Sequence, residues 1–451
     1  MRMPRARDVI SIAIAPLLLG VPLATAAAAR AASTCEAWTG VQPPNPGGAT
    51  RPNLLAAAAV LSPCAAWAVG SYSNGTATQT LVVRWNGRAW TKAASPNPGG
   101  TSHDNYLAAV AATSSGNAWA VGGYSNGTAL RTLITRWNGK AWTKVASPNP
   151  GGSSHDNFLT GVAGNSAGNA WVVGGYFNGT AFQTLIVHWN GKAWTKVASP
   201  NPGGSSRNNF INAVTVTPAG GAWAVGEYFN GTAYRTLILR WNGKAWRKVA
   251  SPNGGSVSAP NLLTGVTAAS AGNAWAVGSY NIGTVAQTLI VHWNGSSWKK
   301  VASPNAGSAS DPNLLAGVTA TSAGNAWAVG SYNIGTVTQT LIVHWNGSSW
   351  KKVASPDPGG PAHLNLLNGV AATSASNAWA VGGYAKSSAE QTLIVHWNGT
   401  AWKTVPSPDP GGSSRFNDLS GIAASSAGNA WAVGDYADSG LAIQTLAVHC
   451  C

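Results

Sequence analysis

Tryptophan recurs in this chain at a fixed interval, and no other feature constrains the fold as tightly. One series runs Trp67, Trp119, Trp171, Trp223, Trp275, Trp327, Trp379 and Trp431. A second runs Trp85, Trp137, Trp189, Trp241, Trp293, Trp345 and Trp397; a third runs Trp38, Trp90, Trp142, Trp194, Trp246, Trp298, Trp350 and Trp402. Each step is 52 residues, and the three series use all 23 Trp. A period of this size marks units that bury their apolar faces only against one another, stacked or closed into a ring.

Within the unit of residues 105–156, residues 106–112 are apolar and small and read as an inner strand, followed by a turn at Ser114-Ser115-Gly116-Asn117. Residues 118–124 alternate Trp119 and Val121 with small residues and read as a second strand. Residues 132–137 make a third strand, Asn138-Gly139 a tight hairpin, and residues 142–146 a fourth. Pro148-Asn149-Pro150-Gly151-Gly152 then ends pairing. Four short antiparallel strands in about fifty residues make a propeller blade.

The unit resembles the kelch repeat, with Gly122-Gly123 closing the second strand, Trp137 closing the third and Trp142 opening the fourth. It departs from that pattern where Ser71, Glu227, Ser279, Ser331 and Asp435 replace the second glycine, and in using Trp for the usual third-strand Tyr. It is also similar to secreted bacterial repeat proteins with WAVG…TLI.HWNG..W units. The resemblance implies a kelch-like propeller and little about function.

The expected fold is all-β: one eight-bladed propeller of four antiparallel strands per blade. Trp38 stands one period before Trp90 without a blade of its own, while the last unit stops at Cys450-Cys451, after its third strand. The N-terminal strand therefore completes the C-terminal blade. This gathers Cys35, Cys450 and Cys451 at one seam, with Cys64 in the neighbouring blade. Cys35 is expected to bond Cys450 or Cys451, and Cys64 the other; a Cys450–Cys451 bridge with Cys35–Cys64 is the competing pattern. A bridge closing so long a loop contributes about 4–5 kcal/mol in the chain-entropy model.

Residues 1–31 read as a secretory signal. Arg2, Arg5 and Arg7 precede an apolar stretch broken by Pro16 and Pro22, and Ala29-Arg30-Ala31 offers a cleavage site. Residues 32–451 are then the propeller, without a second apolar segment of spanning length, and the protein is expected to be secreted, extracellular and monomeric.

Net charge is +15, or about +12 without the signal. Such a charge suits anionic polymers. Yet Lys92, Lys144, Lys196 and Lys352 fall on fourth strands, where Lys guards an exposed edge against pairing. The charge is therefore discounted, and no specific nucleic-acid partner is expected.

The long loops all fall on one side of the ring. Two series line it: an Asn opening each inner strand (Asn105, Asn157, Asn209 and Asn417 among them) and a Tyr closing each second strand (Tyr124, Tyr176, Tyr228 and Tyr436 among them). Tyr rings with Asn amides make a platform for sugars; the same residues also suit an Asx turn with a ring packed beneath it. A third series, from Arg84 and Arg136 to His396 and His449, is accounted for by stacking on neighbouring Trp. Asn-Gly-Thr and Asn-Gly-Ser match the glycosylation pattern but serve as turns.

No His/Cys metal spacing, nucleophile elbow or phosphate loop occurs, so neither a cofactor nor a metal is expected. The expectation is a non-catalytic protein binding extracellular or cell-surface ligands, polysaccharide among them, through repeated loops. The alternative is a hydrolase, lyase or oxidase with a single site at Glu390, Arg415, Asp418, Asp435 and Asp438, where blades seven and eight break the repeat.

Overall fold

The computed structural model describes residues 38–386 and 389–450. The expected signal, Cys35 and Cys451 lie outside them. The described residues form eight four-stranded antiparallel sheets and no helix. Blade two is Asn105–Ser114, Asn117–Ser125, Leu130–Trp137 and Trp142–Val145. The strand order follows the expected one, with the inner strand longer than its apolar run because it carries a bulge.

Closure is as expected. Thr39–Gly40 pairs antiparallel with Ile443–Cys450, Thr39 opposite His449 and Gly40 opposite Val448. Val41 N–H donates to the Ala447 carbonyl (3.2 Å) and Gln42 Nε2 to the Thr445 carbonyl (2.8 Å), extending the join beyond the short strand.

The Trp series are the cement between blades. Trp67 of blade one meets Trp137 and Trp142 of blade two, at 4.8 and 5.0 Å between ring centroids. The triad repeats at every junction except that of blades seven and eight, where Cys450 replaces the second-series indole, and Trp431 of blade eight meets Trp85 and Trp90 of blade one at 4.8 Å each. Second-series indoles other than Trp241 donate to the first hairpin of their own blade, as Trp137 Nε1 does to the Ser115 carbonyl (2.9 Å). The basic series stacks on these rings: His188 lies 4.0 Å from Trp171, and Arg136 lies 5.0 Å from both Trp119 and Trp189.

Each inner strand shifts register at its fourth residue, between Leu107 and Ala109 and at the equivalent places elsewhere. A bulge re-aims the side chain it carries. Here it points at the neighbouring blade: Thr160 Oγ1 donates to the Ile211 carbonyl (3.2 Å), and Thr264 Oγ1 to that of Leu315 (3.1 Å).

The seam departs from expectation at Cys64, a free and exposed thiol. It packs against the tight turn of its own blade, its Sγ 3.4 Å from where a side chain on Gly87 would begin, so it does not reach across to blade eight. Cys450 is buried and disulfide-bonded. Alkylation of the unreduced protein is expected to label Cys64 and spare Cys450, read by peptide mass; label on Cys450 would mean that the seam is unbridged.

Candidate functional site

The inner-strand Asn residues are fully buried. Asn105 Oδ1 accepts from Gly99 N–H (2.8 Å), and its Nδ2 donates to the carbonyls of His103 (2.7 Å) and Gly100 (3.1 Å). Asn157, Asn209 and Asn417 close their loops in the same way. The amide donors of the series are thus committed to loop backbone.

The Tyr rings are half-buried against the interblade core, and Lys ammonium groups cover them. Lys144, Lys196 and Lys248 lie 4.8, 4.8 and 4.7 Å over Tyr124, Tyr176 and Tyr228. Tyr436 has no such lysine and donates to Gln42 Oε1 (3.2 Å).

The acids of blades seven and eight do converge. Asp418 and Asp435 are cross-strand partners, one residue from the loop end of blade eight. Glu390 enters beside them from the third strand of blade seven, Ala389–Trp397. A methyl group on Gly383 would stand 2.3 Å from Glu390 Oε1 and 3.0 Å from Asp418 Oδ1, so both carboxylates crowd one point. Asn368, in the bulge of blade seven, donates to both Asp418 oxygens (3.2 Å each) and to the Leu419 carbonyl (3.0 Å).

This environment raises the proton affinity of both acids. Burial, with the charges of Asp418 and Asp435 adding to it, pushes the Glu390 carboxyl up to about 7. Burial raises Asp418 to about 6, opposed by bonds from the Leu419 N–H and the Asn368 amide. Between about pH 6 and 7 the crowded pair therefore holds about one proton, with Glu390 the stronger holder, and one protonated beside one ionised carboxyl is the arrangement that acid–base chemistry uses.

Two expected members stay apart. Arg415 Nη1 turns back to the Gly411 carbonyl (3.1 Å). Asp438 accepts from the N–H groups of Gly440 (2.9 Å) and Ala442 (3.0 Å), shaping its own turn. Two other residues matter that sequence reading passed over, Asn368 and Gly383. The signal for Asn368 lay in the bulge positions, which elsewhere read Ala, Ser or Thr except for Asn212. Gly383 was read as part of a double glycine, but its missing side chain is the space that the carboxylates fill. At Gly123 and Gly175 the same space is filled by Tyr106 and Phe158, so this glycine tracks what lies across the strand.

The acids occupy register positions that elsewhere face an open crevice. In blades one and two a crevice of about 700 Å³ on the loop side is lined by Leu54, Ser71, Tyr106 and Leu130. Leu54, Ser71 and Leu130 are the repeat equivalents of Asp418, Asp435 and Glu390.

Blade four repeats part of the arrangement. Glu227, the equivalent of Asp435, accepts from Asn212 Nδ2 (2.7 Å), which also donates to the Leu263 carbonyl of blade five (2.8 Å). Burial pushes Glu227 up to about 7 despite the Asn212 bond. The folded state then keeps a proton that the unfolded chain releases between its ordinary value of 4.5 and about 7, so stability falls as pH rises through that window. Glu227→Gln is expected to stabilise the protein by about 3 kcal/mol above pH 7 and by almost nothing near pH 4. Denaturant titration of both proteins at the two pH values checks this; a pH-independent difference would contradict it.

No family model and no curated protein matches this chain. Among solved structures it is similar to the extracellular domain of a putative one-component system, BT4673, from B. thetaiotaomicron (11% identity, TM-score 0.39). That match covers 91% of this chain and 53% of the other, so the chain spans about half of that protein's length. It is similar to a PL25 ulvan lyase bound to a GlcA–Rha3S saccharide (12% identity, TM-score 0.43, covering 82% of this chain and 96% of that one). A third is the GH74 xyloglucanase of Xanthomonas campestris (14% identity, TM-score 0.31, covering 87% and 72%). These likenesses concern architecture and carry nothing about this chain's chemistry.

They do correct the expectation of a non-enzyme. Chains of similar architecture include a polysaccharide lyase and a xyloglucanase, so the fold gives no ground for excluding catalysis.

Proposed function

We propose that the protein is an extracellular glycan-active enzyme that hydrolyses glycosidic bonds at the corner between blades seven and eight. The observation that carries this is the pair Glu390 and Asp418, crowded at one point with both proton affinities raised by burial toward neutral pH. Glu390 donates its proton to the leaving glycosidic oxygen. Asp418, held by Asn368, attacks the anomeric carbon as that bond breaks, and water then releases the sugar from Asp418 while the ionised Glu390 takes back a proton from the water. Asp435 keeps Glu390 protonated through like charge. Glu390 Oε1 and Asp418 Oδ1 lie 2.3 and 3.0 Å from one point and so at most the sum of the two, 5.3 Å, apart, which suits a retaining pair at about 5–5.5 Å better than an inverting pair at about 6.5–9.5 Å. The signal-like residues 1–31 support the extracellular placement.

The test is incubation with a panel of neutral and acidic polysaccharides, following new reducing ends, unsaturated products and the anomer first released. New reducing ends with retained configuration support the reading. Unsaturated products alone would replace it with a lyase, and no cleavage of any polymer would remove it.

A further inference from the structure

The outer wall of the ring carries a second feature, independent of the acid corner. Six blades place a fourth-strand lysine over the second-strand Tyr of the same blade: Lys92, Lys144, Lys196, Lys248, Lys300 and Lys352, each Nζ between 4.2 and 4.8 Å from the ring centroid. In blades one, two, four and six the ammonium also donates to the Tyr hydroxyl, at 3.3–3.5 Å. These lysines are exposed. Blades seven and eight lack them, with Thr404 and Gly40 at the equivalent places.

Guarding an edge requires charge at the edge but not a fixed position for it. Here the position is fixed, because the Tyr holds the ammonium through ring and hydroxyl, and the repeat reproduces that position blade after blade. Fourth strands add Arg247, Lys299, Lys351 and Lys403, and none of them carries a carboxylate. The result is an arc of evenly repeated, preorganised cations around most of the circumference. Preorganisation lowers the ordering cost of binding, and repetition converts weak contacts into avidity.

We infer that this wall binds an acidic polysaccharide, a polymer with a carboxylate or sulfate on successive sugars. The chemistry favours it over nucleic acid. Single strands are held by bases stacking on open aromatic faces, and here the lysines themselves cover the Tyr rings. The partner thus supplies regularly spaced anions and no stacking surface, and it lies along the wall while the loop face remains open.

The experiment measures binding of the Glu390→Gln protein, so that turnover plays no part and the outcome is separate from that of the hydrolase reading. The probes are polygalacturonate, an uncharged β-glucan and duplex DNA. The uronate polymer is expected to bind, weakening about tenfold or more between 50 and 200 mM salt, and the glucan is not. Changing all six lysines to Gln should reduce binding at least tenfold, while changing them to Arg should preserve it. Equal binding of the glucan, tighter binding of DNA, or uronate binding unaffected by Gln would each overturn the inference. If the Gln protein does not fold, the Arg protein and the salt titration of the unaltered wall decide.

Discussion

Glu390→Gln is expected to lower kcat/KM for polysaccharide hydrolysis by about a thousandfold while leaving the fold as stable as before or more so. The loss follows from removing the general acid, which is worth about 10²–10⁴-fold in rate. The stability follows from the same environment: a carboxyl held up to about 7 by burial and two neighbouring acids is destabilising when ionised, and an amide relieves that cost at pH 8. Asp418→Asn should also abolish turnover, because the group that meets the sugar cation is then neutral. In the unaltered protein, activity needs Glu390 protonated and Asp418 ionised. A bell-shaped pH profile should therefore peak between about 6 and 7, its limbs belonging to the coupled carboxylates as a set. Initial rates across pH for the three proteins, with melting curves alongside, check this. Full activity in either variant would overturn the assignment, and activity lost only together with the fold would make the corner structural.

Gly278→Ala is expected to destabilise the protein by about 4 kcal/mol or prevent folding, the extreme of what single substitutions do. A methyl group there would lie 2.2 Å from the Leu262 carbonyl oxygen and 2.9 Å from the Leu263 Cα, backbone atoms that cannot turn aside. The inner-strand bulge presses that carbonyl against the second strand. Gly70, Gly122, Gly174, Gly226, Gly330, Gly382 and Gly434 meet the same contact in their blades. The control is Gly116→Ala, where a methyl group meets nothing within 4 Å. Chemical denaturation of both should separate them by several kcal/mol; similar midpoints would mean that the inner strand yields.

The 52-residue period by itself determined the architecture. Every blade repeats the same alternation and Asn-Gly hairpin, and an indole every 52 residues has to meet its neighbours when each unit is too small to bury it alone. Ring closure was equally legible, because Trp38 and the missing fourth strand are complementary remnants of one repeat. What the period hides is everything set by the approach of different blades. Read in order, Asn368, Glu390, Asp418 and Asp435 are scattered over almost seventy residues, and only blade-to-blade packing brings them to one point. Cys64 failed as a bridge for the converse reason: its place in the repeat is that of a seam residue, but its side chain packs on its own hairpin. Nor does the repeat tell an Asn that faces a ligand from one whose amide is spent on loop carbonyls, since both fill the same register. Local pattern decides which strands form. Burial, proton affinity and the partners of each polar group depend on what the neighbouring blade brings, and that was decided by tertiary structure alone.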